Sequence, residues 1–142
     1  MAIDRDLVEA KIREIHDAIR LLEELVARKF EELGIYERLS MRYLVIQLVE
    51  AAAGICVHLL AEEYGERAES YPGCFTRLGE LGFIPRDLAA RLALAARLRN
   101  ILVHRYWAVD DGRVYESVKR GLEDFRSFVE LVRGLLEGGR RA

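Results

Sequence analysis

Between Asp4 and Leu33 the apolar residues Ile12, Ile15, Ile19, Leu22, Val26 and Leu33 recur in steps that keep them on one side of a helix. That spacing predicts one long amphipathic helix, with charges on its other faces and Gly34 as its stop. The next segment, "MRYLVIQLVEAAAGICVHLLAEEYG", is apolar almost all round, with Ser40 placed to cap it and Gly65 to end it. A helix of this kind is expected to be buried against several neighbours. Arg42, Gln47, Glu50 and His58 interrupt it, which favours a protein interior over a bilayer span. "GERAESYPG" reads as a loop and "CFTRLGELGFIP" as one or two short helical turns. Pro85 suits the first turn of a further helix, "RDLAARLALAARLRNILVHRY". After the turn "VDDG", with Asp110 or Asp111 as cap, a last helix carries Val114, Val118, Leu122, Phe125, Val129 and Val132 on one stripe. No strand alternation or repeat is present. The expected fold is all-α: an antiparallel bundle of four to five helices forming a single domain over residues 1–142, with a loose tail from about 138.

At 142 residues the chain is long enough to bury a core without staples. Its net charge of −2 gives no overall basic field, although that leaves room for a small local nucleic-acid site. The two cysteines, Cys56 and Cys74, lack metal or redox spacing, so reduced, buried thiols are expected. The N-terminal stretch is charged from Asp4 and has no signal-type apolar core, so the cytoplasm is the expected compartment.

One helix end departs from core chemistry. In "ARLRNILVHRYW", Arg97, Asn100 and His104 lie at i, i+3 and i+7 and share a face. Arg99 and Tyr106 are also seven apart and share a second face if the helix continues that far. An imidazole that titrates near neutrality can move a proton from an RNA 2′-hydroxyl or to the leaving oxygen. A guanidinium can hold the phosphate and offset charge building on its oxygens, with Asn100 in support. The competing account is structural: arginine and histidine near a helix C-terminus complement its dipole and bind its last carbonyls.

"RNILVHRY" resembles the Arg-x4-His-x-Tyr motif of the HepT-like branch of the HEPN superfamily, helical proteins of toxin–antitoxin modules. The flanking "LRNILVHRYWAVDDGRVYESV" resembles the same family through Val109 and Asp110 into the last helix, and "QLVEAAAGICVHLL" resembles its buried helix more weakly. The resemblance implies a HEPN-like bundle, a symmetric homodimer with two motifs facing one cleft, and ribonuclease activity needing neither metal nor cofactor. It makes Arg99 and His104 the catalytic pair, with Asn100 in support; Arg97, on the face of Asn100 and His104, is a further supporting candidate by its spacing. It also implies a partner, the minimal nucleotidyltransferase MNT, which acts as antitoxin in this type VII arrangement and attaches AMP to Tyr106. The alternative is a non-catalytic nucleotide-binding or interaction protein that is only its partner's substrate. For Tyr106 the plain alternative is packing with Trp107 against the last helix.

Of the remaining residues, Glu50 is expected to pair with an arginine of the 97–99 cluster, since an unpaired carboxylate on so apolar a helix is costly. A proton-transfer role for it is the alternative. His58 is expected to be hydrogen-bonded and His16 solvated. The three dispersed histidines do not suggest a metal site.

Overall fold

The computed structural model describes residues 3–138, so the expected loose tail at 139–142 lies outside the described residues. Five helices make up the fold: α1 (Arg5–Val26), α2 (Ile35–Tyr64), α3 (Tyr71–Glu80), α4 (Arg86–His104) and α5 (Asp111–Glu137). Single 3₁₀ turns occupy Phe30–Glu32 and Tyr106–Ala108, and there is no strand among the described residues. The all-α bundle expected from the hydrophobic pattern is what forms. The six apolar positions that define the α5 stripe are all buried, as are Ile12, Ile15, Ile19 and Leu22 of α1.

α2 runs through the middle of the bundle. It is apolar and long enough to cross a membrane by composition, with mean hydropathy 2.0 over its most apolar window. In the bundle, 61% of that window is buried against other helices. α1, α3, α4 and α5 all pack against it, and α1 also meets α5. Phe75 of α3 and Phe128 of α5 meet edge to face, with centroids 5.8 Å apart.

The helix ends differ from the expected ones in four places. α1 stops at Val26 rather than Leu33. The Tyr115 hydroxyl of α5 lies within hydrogen-bond reach of the carbonyls of Val26 (3.3 Å) and Arg28 (2.5 Å), which meets the acceptor demand of the terminating turn from another helix. Gly34 is therefore not a stop but the N-cap of α2, its N–H donating to the Glu37 carboxylate at 2.8 Å, and Ser40 sits inside the helix. The segment after Ser70 is a full ten-residue helix rather than isolated turns. α4 stops at His104 instead of running on to Tyr106. The expected ends at Asp110 and Gly65 hold. Asp110 accepts from the N–H groups of Gly112 and Arg113, and Gly65 closes α2 at φ 64°, a left-handed conformation that costs glycine little. His58 is hydrogen-bonded, its Nε2 accepting the Asp4 N–H at 2.8 Å, which ties the start of α1 to α2.

The cysteines correct the expectation of reduced thiols: Cys56 of α2 and Cys74 of α3 form a buried disulfide with Cα atoms 6.3 Å apart. A separation of 18 residues carries no signal in itself; the folding back of α3 onto α2 brings the two sulfurs together. Closing a loop of that length is worth about 3 kcal/mol in the chain-entropy account. Cys56→Ser/Cys74→Ser, or full reduction under denaturing conditions followed by refolding in dithiothreitol, is expected to lower unfolding stability by about that amount. Urea titration followed by circular dichroism measures it.

Candidate functional site

Arg99 leaves α4 toward α2. Its Nε and Nη2 donate to one oxygen of Glu50, Oε2, at 3.1 and 2.5 Å, and its Nη1 donates to Asn100 Oδ1 at 2.9 Å. Its Cζ lies over the ring of Tyr71, at the start of α3, 5.1 Å from the centroid. The arginine side chain is 18% exposed and that of Glu50 43%. The expected partner of Glu50 is thus the one observed. A guanidinium has five N–H donors, and these contacts engage three, so an anion can still be met by one N–H on each Nη.

Asn100, Arg97 and His104 face outward on α4. Arg97 and His104 are exposed and Asn100 is half-buried. His104 is the last helical residue, where a cation complements the dipole. Arg99 and His104, five residues apart, point about 140° from each other around the helix axis. The structure therefore joins Arg99, Asn100 and Glu50 in one hydrogen-bonded group and leaves His104 separate from it.

Tyr106 does not share a helix face with Arg99, because α4 ends before it. Arg105, at φ −138° and ψ 45°, is no longer helical, and residues 106–108 form a tight turn. Arg42 of α2 holds that turn from outside. Its Nε and Nη2 grip the two oxygens of Asp111 at 2.6 and 3.1 Å, and its Nη1 donates to the Tyr106 carbonyl at 3.2 Å. Within the turn Tyr106 and Trp107 meet edge to face with centroids 5.4 Å apart. The pair does not pack into the bundle: Tyr106 is 62% exposed and Trp107 71%.

The sequence marks Asp111 only as a possible cap and Arg42 only as a polar break in α2, and gives no signal for their pairing or for Tyr71 beside Arg99. A cation and a carboxylate separated by 69 residues carry no local signal, and neither does an aromatic in a short helix. A groove of about 830 Å³ between α2, α4 and α5 is lined by Leu94, Leu98, Ile101 and Val114, and contains none of Arg99, Asn100, His104 or Tyr106. The motif lies instead on an open edge of the bundle. Among the described residues no three His, Cys, Asp or Glu side chains converge as metal ligands would.

Residues 15–132 match the sequence model of the family described as "Ribonuclease HepT-like". The chain belongs to the ribonuclease HepT-like family. An Archaeoglobus fulgidus protein named "Putative RNase" is 32% identical over 127 residues, 89% of this chain and 91% of that one. The tRNA nuclease HepT of Aphanizomenon flos-aquae is 26% identical over 80% of this chain and 86% of its own. The fold is shared with the tri-AMPylated Shewanella oneidensis HEPN toxin, solved in complex with MNT antitoxin, at a TM-score of 0.84 and 24% identity, covering 91% of this chain and 98% of that one. In this HepT-like chain the motif edge offers a partly engaged guanidinium, a free imidazole and an accessible phenol. That set can bind an anion, move a proton and accept a transferred group.

Trp107 is the only tryptophan, so its fluorescence reports on the turn held by Arg42. Arg42→Ala leaves the Asp111 carboxylate without its fork and is expected to cost about 1–3 kcal/mol. The emission of Trp107 should change with the helical signal retained, read by fluorescence and circular dichroism on the same sample.

Proposed function

We propose that this chain is the toxin of a HepT/MNT-type module, a homodimeric, metal-independent endoribonuclease of the cytoplasm silenced by AMP attachment to Tyr106. The observation that carries the reading is the arrangement at the end of α4: Arg99 held with donors to spare, His104 exposed, and the Tyr106 hydroxyl in solvent just beyond them. The nuclease name of the Aphanizomenon relative supports RNA as substrate, and the Shewanella complex supports an MNT partner.

In this reading Arg99 binds the scissile phosphate and stabilises charge on its oxygens, while Asn100 steadies the guanidinium. His104 takes the proton of the 2′-hydroxyl as that oxygen attacks phosphorus. The bond from phosphorus to the 5′-oxygen breaks, that oxygen is protonated by a second imidazolium, and a 2′,3′-cyclic phosphate remains. Arg97 adds positive charge beside the path of the strand.

The second imidazole comes from a second copy. Along α2 the residues Tyr36, Leu39, Tyr43, Gln47, Glu50, Gly54 and Val57 recur in steps of three and four over about 30 Å. The side chains of Tyr36, Leu39, Tyr43 and Val57 are exposed, the one charged residue of the stripe is the Glu50 that Arg99 already engages, and Lys11 of α1 lies over Gly54. A nearly uncharged, self-complementary face of this kind suits a two-fold interface. It would bring two Arg99–His104 sets to one cleft.

Transfer of AMP from ATP would join the Tyr106 oxygen to the α-phosphorus and release pyrophosphate. The adduct puts a phosphate and a nucleoside beside Arg99, where they compete with RNA for the same donors. The competing reading, a non-catalytic substrate of the nucleotidyltransferase, draws on one contact: Glu50 already occupies two donors of Arg99.

Total tRNA incubated with the protein in EDTA is expected to be cut to products bearing a cyclic phosphate. His104→Ala and Arg99→Ala should each reduce the rate by about 10² to 10⁴. Tyr43→Glu should yield inactive monomers by light scattering. Chelator-sensitive cleavage, or full activity in His104→Ala, would overturn the mechanism.

With ATP and an MNT-type nucleotidyltransferase, the wild-type protein should gain mass in AMP increments and lose nuclease activity. Tyr106→Phe should gain none. A modified protein whose unmodified form cuts no RNA would establish the competing reading instead.

A further inference from the structure

We propose that Tyr71 is a positioning residue for Arg99: α3 supplies a wall that fixes the plane of the guanidinium presented to the phosphate. The proposal rests on the reading that Arg99 binds that phosphate, and it concerns how the side chain is held.

The two hydrogen bonds from Arg99 to Glu50 both end on the single oxygen Oε2. A fork that grips two oxygens fixes a guanidinium in its plane, but two bonds to one point leave a pivot about which the group can swing. The third bond, from Nη1 to Asn100 Oδ1, comes from the neighbouring residue on the same helix and limits rotation within the plane. Cζ of the guanidinium lies over the Tyr71 ring, 5.1 Å from its centroid, so the ring bounds the group on that side. A cation over an aromatic face is attracted to it, and for a planar guanidinium stacking also sets orientation.

The wall is itself anchored on several sides. Tyr71 is the first residue of α3, directly after the cap Ser70, whose Oγ accepts the Gly73 N–H at 3.0 Å. Pro72 restricts the backbone of the same turn. One turn further on, Cys74 is bonded to Cys56 of α2. Glu66, in the loop before α3, accepts from Arg77 Nε and Nη2 at 2.7 and 2.8 Å. The Tyr71 ring is half-buried and packs against the core. The aromatic face presented to Arg99 thus has little freedom to follow the guanidinium if that moves.

The role belongs to the ring and not to the hydroxyl, so Tyr71→Phe and Tyr71→Ala separate the two, with Tyr71→Leu as a second ring-free variant should the alanine variant fold poorly. The first readout needs no RNA. In proton–nitrogen NMR the Nε–H of Arg99, assigned by its loss in Arg99→Lys, is expected to exchange with water at similar rates in wild type and Tyr71→Phe. It should exchange about tenfold faster in the ring-free variants, with the backbone amide spectrum retained. The second readout is cleavage of total tRNA. The ring-free variants should lose about tenfold in kcat/KM, within the range of a desolvated cation–π contact, and Tyr71→Phe should lose little. In an Arg99→Lys background, Tyr71→Ala should cost nothing further. Unchanged Nε–H exchange in the ring-free variants would overturn the proposal, as would equal loss in Tyr71→Phe and Tyr71→Ala. A wild-type protein that cuts no RNA would end the nuclease reading while leaving the exchange measurement to decide the role of Tyr71.

Discussion

α2 has no polar side on which to rest against water, and covering it determines where the other helices lie. Thirty residues of apolar helix gain from burial on several faces, and four other helices provide it. α1, α3, α4 and α5 each cover part of its surface. On the stretch from Tyr36 to Val57, where Tyr36, Leu39, Tyr43 and Val57 stay exposed, the proposed dimer places a second copy.

Because α2 is the buried helix, each polar group on it carries a requirement for a partner. Three of those requirements fasten the fold and shape the site together. His58 accepts the backbone N–H that opens α1. Arg42 joins the first residue of α5 to the carbonyl of Tyr106. Glu50 draws Arg99 inward from α4. The positions of Arg99 and of the Tyr106 turn therefore follow from satisfying charges on α2. This is also why His104 stands apart: no group on α2 reaches it, and it stays at the exposed helix end.

Not every local signal agreed with the final structure, and the disagreements share one cause. α1 carries apolar spacing as far as Leu33 but ends at Val26, because Tyr115 of a distant helix meets the carbonyls there. α4 carries helical spacing past His104 but ends there, with the carbonyl of Tyr106 held by Arg42. In both cases a side chain remote in sequence satisfies backbone groups that would otherwise favour another helical turn. Propensity sets which segments are helical, and tertiary hydrogen bonds set where they stop.

The periodicity of apolar residues by itself determined the helical class, the burial of α2 and the inward stripe of α5, since burial on a helix repeats with the helix's own period. The residue types in "RNILVHRY", together with their family resemblance, marked the functional end of α4, and the cost of a lone carboxylate on an apolar helix pointed Glu50 to the arginines. Tertiary structure alone decided the rest: the disulfide between Cys56 and Cys74, the Arg42–Asp111 fork, the ring of Tyr71 over Arg99, and the exposure of Tyr106 on a turn instead of a helix. Each of these depends on two segments far apart in the chain meeting at a particular distance and angle. A one-dimensional pattern records which residues seek burial or a partner, while the packing of helices against α2 decides which partner lies within reach.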